Sequence, residues 1–94
     1  MHEEALLRDL RRKIREVAHQ QGDLPVRGVR IWIGALAHVT PESLRGRWPE
    51  VVAGTPAEAA RLAIDVSEDT SDPHAQGIRL VELTVEDGTP PAGA

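Results

Sequence analysis

Residues 26–34, VRGVRIWIG, decide the fold of this chain. Val29, Ile31 and Ile33 alternate with larger polar or amphipathic residues, and a period of two predicts a strand with one buried face. Trp32 lies on the opposite face, where it is either an interface anchor or a cover for the outer surface of the sheet.

A helix is predicted on each side of this strand along the chain. Residues 3–21 carry an apolar stripe at helical spacing, and Gly22 is suited to end that helix. Thr40 can cap a second helix over residues 41–53, in which Pro49 predicts a kink or a restart. The inward residues are Leu7, Leu10, Ile14, Val17 and Ala18 in the first helix, and Leu44, Trp48, Val51 and Val52 in the second.

Two further strands follow, separated by the polar stretch 67–77. The order α-β-α-β-β predicts an α/β (α+β) fold in which a three-stranded sheet carries two helices packed on one face. Residues 1–86 are expected to form one domain, and 87–94 a disordered tail rich in glycine and proline. The strands are marked by Leu62, Ile64 and Val66, and by residues 78–86 with Val81, Leu83 and Val85 on one face.

Composition excludes several functional classes. The 94 residues have a net charge of −4, which argues against a nucleic-acid binder. We expect a cytoplasmic protein, because no run of apolar residues is long enough for a membrane span or a signal peptide. The chain contains no cysteine, so disulfides and cysteine-based zinc sites are excluded. No nucleophile, base and orienting group occur together, and we expect no enzyme activity.

The first three residues, Met1-His2-Glu3, form a candidate metal site. An α-amino group, backbone amide nitrogens and an imidazole lie close together there, and such nitrogen donors suit Ni(II) or Cu(II). The amine titrates near ~8 and the imidazole near ~6.5, so both can bind metal at neutral pH. The alternative is a solvated N-terminus without a ligand.

Several stretches together resemble the HypA (HybF) family of hydrogenase and urease nickel-incorporation proteins. They are Met1-His2-Glu3 opening a helix, VRIWIGAL at 29–36, PESL at 41–44, VVAGTPAEAA at 51–60 leading into LAI at 62–64, and VELTVE at 81–86. Their order and spacing carry the resemblance over about four-fifths of the chain.

The resemblance implies a nickel chaperone that acts with the GTPase HypB on the large-subunit precursor of [NiFe] hydrogenase, or on urease. Carried over by position, the nickel ligands are the Met1 amine, the His2 amide and imidazole, and the amide or side chain of Glu3. Family members insert a zinc domain with two Cys-x-x-Cys motifs where this chain has only 67–77. Zinc is therefore not expected, and His74 beside two acidic residues is more simply a solvated loop histidine.

Alternatives remain at several positions. His38 either approaches the metal or is a solvated loop residue, and His19 is either a helix C-terminal cation or functional. A homodimer or partner addition along a sheet edge fits so small a sheet. The alternative to a nickel chaperone is a scaffold without metal in hydrogenase maturation. Its docking surface would be the arginines of the first helix, Arg8, Arg11, Arg12 and Arg15, unless they form only a solvated face.

Overall fold

A computed structural model describes residues 3–86 of the chain. Helix α1 spans Glu3–Gln20, strand β1 Val26–Ile33, helix α2 Pro41–Val52, strand β2 Arg61–Val66 and strand β3 Ile78–Val85. The predicted order α-β-α-β-β is confirmed, and the predicted tail 87–94 lies outside the described residues.

The three strands form one mixed sheet in the order β2-β1-β3. Strand β1 pairs in parallel with β2 and antiparallel with β3. The parallel pair is joined through α2, because parallel neighbours need a crossover connection. The strand identified first in the sequence is therefore central, and Ile33 at its end pairs with Val66 on one side and Ile78 on the other.

Both helices cover one face of this sheet. Val29, Ile31 and Ile33 are buried in the same apolar cluster as the inward residues of α1 and α2, as predicted. Val17 is only half-buried, whereas Leu6, which the sequence stripe omits, is 7% exposed. Gly22 follows α1 with φ 83°, the left-handed conformation expected of a residue that ends a helix.

The predicted face of β3 is wrong at Val81. Arg30 pairs with Glu82 and Ile31 with Leu80, so Val81 is an extra residue in the ladder. Such a β-bulge reverses the alternation of side chains beyond it. Val81 is consequently 56% exposed. The β3 residues that pack against the core are Ile78, Leu80, Leu83 and Val85.

Helix α2 begins as predicted and continues past Pro49. The Thr40 hydroxyl accepts a hydrogen bond from the Ser43 amide at 3.0 Å, which caps the helix. Of the predicted kink or restart at this proline, the restart is absent, because α2 is one element from Pro41 to Val52. Proline removes one amide donor, but Val51 and Val52 beyond it are buried, and their packing holds the last turn in place.

The segment 67–77 is attached closely to the end of β1. The Gly34 amide donates to the Gly77 carbonyl at 2.9 Å, and the Leu36 amide to the Ala75 carbonyl at 2.7 Å. At the other end, the Ser67 amide donates to Ile33 at 2.9 Å. Among residues 3–86, no helix is both long and apolar enough to cross a membrane.

Candidate metal site

The candidate ligands fall at the boundary of the described residues. Met1 and His2 lie outside them, so the structure gives no geometry for the amine or the imidazole. Glu3 is the first residue of α1, and its side chain is 31% exposed. It is the one predicted ligand whose surroundings can be described.

The carboxylate of Glu3 is bound by α2. The Ser43 hydroxyl donates to Oε2 at 2.5 Å, and Nη1 of Arg47 donates to Oε1 at 3.3 Å. Both carboxylate oxygens are therefore already hydrogen-bonded. The backbone amide nitrogen is then the simpler metal ligand from this residue. That amide has no acceptor within α1, because the first four N–H groups of a helix lie ahead of the hydrogen-bond ladder.

Arg47 joins three carboxylates at this point. Besides Glu3, its guanidinium lies 3.5 Å from Glu4 and 2.9 Å from Glu50. The hydrogen bond and charge of Glu50, followed by the charges of Glu4 and Glu3, raise the pKa of Arg47 above its ordinary value. The first turn of α1 is therefore held against α2 by a permanently charged group.

The contacts between the helices place their N-termini side by side. Glu3 meets Ser43 in the first turn of α2, and Arg11 further along α1 donates to the Glu50 and Val51 carbonyls at 3.2 and 3.0 Å. Glu3, the first residue of α1, therefore lies beside the capped first turn of α2.

The remaining histidines do not form a second metal site in the described part of the chain. His19 lies at the end of α1, exposed, with Nδ1 3.0 Å from Asp23. His38 is exposed two residues before the Thr40 cap, and His74 is exposed in the 67–77 segment. No group of three or more histidine, aspartate or glutamate side chains able to hold a metal occurs within residues 3–86.

The arginines of α1 line one groove: Arg8, Arg11, Arg12 and Arg15. Arg11 is fixed by the carbonyls of α2, and Arg12 lies 3.8 Å from Asp9. Within residues 3–86, neither Arg8 nor Arg15 forms an ion pair. We call these four residues the basic face.

Sequence reasoning missed Ser43 and Arg47. Ser43 was part of the stretch PESL, but nothing local marked it as a partner of a residue 40 positions away. One signal was available: an acidic residue at the start of one amphipathic helix and an arginine in the middle of the next are suited to pair when two helices pack side by side.

The sequence model of the family described as "Hydrogenase/urease nickel incorporation, metallochaperone, hypA" matches residues 1–72. The chain belongs to the HypA family. The match begins at Met1 and includes α1, β1, α2 and β2, so the candidate site and its α2 partners all lie within it. This family is one of metallochaperones and maturation factors rather than enzymes, in agreement with the sequence prediction.

Individual relatives support the same assignment. The protein "Hydrogenase maturation factor HypA" of Methylocella silvestris is 39% identical over 66 residues, which are 70% of this chain and 58% of the relative. The HypA of Rhizobium leguminosarum bv. viciae is 37% identical over 65 residues, 69% of this chain and 58% of the relative. That of Acidithiobacillus ferrooxidans is 41% identical over 64 residues, 68% of this chain and 57% of the relative. In each of these three matches, the chain spans less than three-fifths of the relative's length.

Proposed function

We propose that this protein is a nickel metallochaperone that binds Ni(II) through Met1-His2-Glu3 and serves the maturation of a [NiFe] hydrogenase or a urease. The observation that carries the proposal is the family match, which begins at Met1 and covers the whole candidate site. Nickel is the cargo of such a protein, bound and released rather than retained.

The proposed ligands are the Met1 amine, the amide and imidazole of His2, and the amide of Glu3. Four nitrogen donors suit a square-planar or tetragonal Ni(II) site. The Glu3 carboxylate is assigned to α2 instead, because Ser43 and Arg47 already engage both of its oxygens. Deprotonating these amides breaks no helical hydrogen bond, because the N–H groups at the start of a helix have no acceptor within it.

The charge of the helix opposes a dication at this position only weakly. The positive end of the α1 dipole costs about 0.3–1 kcal/mol, and the acidic residues Glu3 and Glu4 of the first turn offset part of it. Affinity should fall as pH drops below about 6.5, because the His2 imidazole must lose a proton to bind metal.

Calorimetric titration of Ni(II) tests the proposal. The protein is used untagged, after mass spectrometry has verified a free Met1, and is compared with His2→Ala and with an N-acetylated form. His19→Ala is the matched control, since that exposed histidine lies near the other end of α1, roughly 24 Å from Glu3 at about 1.5 Å per residue. We expect one-to-one micromolar or tighter binding that both N-terminal changes abolish and His19→Ala leaves intact. Binding that survives both N-terminal changes would place the metal elsewhere.

The proposed partners are a HypB-like GTPase and the hydrogenase large-subunit precursor, in the cytoplasm. They rest on the family resemblance, and the curated relatives are named as hydrogenase maturation factors. Pull-down with each purified partner, with and without Ni(II), tests whether this protein binds that partner. Retention of the precursor but not of the GTPase would remove HypB from the proposal.

The proposed function does not include a zinc site. The chain has no cysteine, and residues 67–77 form a short segment closed onto β1 where family members carry their zinc domain. We expect no stoichiometric zinc by metal analysis of the purified protein. Zinc at one equivalent per chain, retained through dialysis, would contradict this part.

The basic face favours a second candidate function, that of a scaffold in hydrogenase maturation that binds no metal. Arg8 and Arg15 form no ion pair within the described residues, and like charges at helical spacing are unfavourable unless something binds them. If this candidate is right, His2→Ala is silent in maturation, whereas charge reversal at Arg11 or Arg15 breaks the complex. Arg30→Glu on the open face of the sheet controls for net charge.

A further inference from the structure

We infer that Ser43 and Arg47 are positioning residues for the nickel site. The Glu3 carboxylate is not a metal ligand; it binds to α2 and thereby fixes the Glu3 amide, which is one. This inference rests on the proposed function. We call the contacts of Glu3 with Ser43 and Arg47 the N-terminal latch.

The latch fixes Glu3, the last residue of the proposed chelate. Glu3 is the first residue of α1, and its carboxylate receives one hydrogen bond from Ser43 at 2.5 Å and one from Arg47 at 3.3 Å. Hydrogen bonds between charged groups and carboxylates are stronger than neutral ones. The Glu3 amide nitrogen is separated from that anchored side chain by one Cα, so its place relative to α2 is set.

The anchor itself is rigid. Ser43 is part of the capped first turn of α2, where its amide donates to the Thr40 hydroxyl. Arg47 is held in addition by Glu50 at 2.9 Å, one turn further along the same helix. Both partners of Glu3 therefore belong to a helix that is buried against the sheet through Leu44.

Chain ends without such an anchor lose conformational freedom when they wrap a metal, and this loss weakens binding. A latched Glu3 removes part of that cost before nickel arrives, because one of the proposed donors already has a fixed position. Loss of the latch should therefore weaken nickel binding without removing any ligand.

A double-mutant cycle separates this role from direct ligation. Ni(II) is titrated calorimetrically into wild type, Glu3→Ala, Ser43→Ala/Arg47→Ala and the triple variant. About 0.5 M potassium chloride is present to screen the charge of Glu3 beyond a few ångströms. We expect Glu3→Ala to raise the Kd roughly three- to tenfold in the wild-type background and less than about twofold when Ser43 and Arg47 are already absent.

Matched variants control for folding and for general charge effects. Arg30→Ala removes another exposed ion pair, 3.1 Å from Asp65 on the open face of the sheet, and should leave nickel affinity unchanged. Ser43→Thr keeps a hydroxyl and should restore most of the affinity that Ser43→Ala loses. If the double variant is unfolded by circular dichroism, the single change Ser43→Ala replaces it in the cycle.

Three results would overturn the inference. An equal effect of Glu3→Ala in both backgrounds makes its carboxylate a direct ligand. Wild-type affinity in Ser43→Ala/Arg47→Ala removes the latch from nickel binding, while the chelate itself stands. Absence of nickel binding by the wild type refutes the proposed function and this inference together, and the wild-type titration alone distinguishes that case.

Discussion

Replacing Gly34 by alanine is expected to destabilise the fold by about 2–4 kcal/mol. A Cβ at Gly34 would lie 2.2 Å from the Ala75 carbonyl oxygen and 2.8 Å from that of His74. Both neighbours are backbone atoms, which no rotamer change can move aside. The segment 67–77 would have to shift away from the end of β1.

The magnitude follows from the contacts that this shift breaks. Two backbone hydrogen bonds, Gly34 to Gly77 and Leu36 to Ala75, contribute about 0.5–1.5 kcal/mol each. Overpacking a close contact costs about 1–3 kcal/mol, and the two effects overlap because the shift that relieves one causes the other. A chain of 94 residues has a total stability of roughly 5–14 kcal/mol, so the loss should be easy to measure.

Urea unfolding followed by circular dichroism is a suitable assay, with Gly46→Ala as the matched control. Gly46 lies inside α2, and nothing lies within 4 Å of a Cβ placed there. That change should stabilise the protein by about 0.5–1 kcal/mol, because alanine is the better helix former. If the two alanine variants unfold at similar urea concentrations, the segment is not docked on Gly34 as described.

Three further predictions concern stability and titration. In urea unfolding, Leu83→Ala should cost about 1–3 kcal/mol of stability, since Leu83 packs against the core. Val81→Ala on the exposed bulge should change stability by less than about 0.5 kcal/mol. Equal losses in the two variants would contradict the bulge. Thr40→Ala should cost about 1 kcal/mol by removing the cap of α2, and Thr40→Ser in the same assay should retain most of it. Hydrogen bonds from the Ser71 hydroxyl and amide lower the pKa of Asp69. Their contribution to the stability of the fold is present above the unfolded pKa of about 3.9, and it is lost as the pH falls through the lowered pKa of the folded state. Carboxyl carbon NMR should show Asp69 titrating below its usual range and Ser71→Ala raising its pKa; no change on that substitution would assign the shift to another cause.

The elements could be predicted because their signals are local. The alternation around Ile31 and the cap at Thr40 each depend on a few neighbouring residues, and both were confirmed. The bulge at Val81 depends on how β3 pairs with β1, which composition and periodicity do not encode. A continuous alternation was therefore extended through the bulge, which placed Leu83 and Val85 correctly against the core and Val81 on the wrong face.

The candidate site shows the same division between local and distant information. Its nitrogen donors are consecutive in sequence and could be proposed from Met1-His2-Glu3 alone. The partners of Glu3 lie 40 and 44 positions away, so they became visible only when the helices were packed. The ligand role of Met1 and His2 stays a prediction.

The attachment of residues 67–77 to β1 determines what kind of module could be inserted between β2 and β3. Val66 and Ile78 both pair with Ile33, so the polypeptide leaves and re-enters the sheet two strand spacings apart, about 10 Å. The exposed turn around Asp69 lies between those two points along the chain, and backbone hydrogen bonds attach the ends of the segment to β1 and to the residues that follow it. A foreign module whose own termini lie about 10 Å apart should therefore be tolerated in this turn without disturbing α1 or α2. The two sheet positions would fix the ends of an inserted module, so modules of different size could be inserted or removed there while the rest of the fold stayed the same.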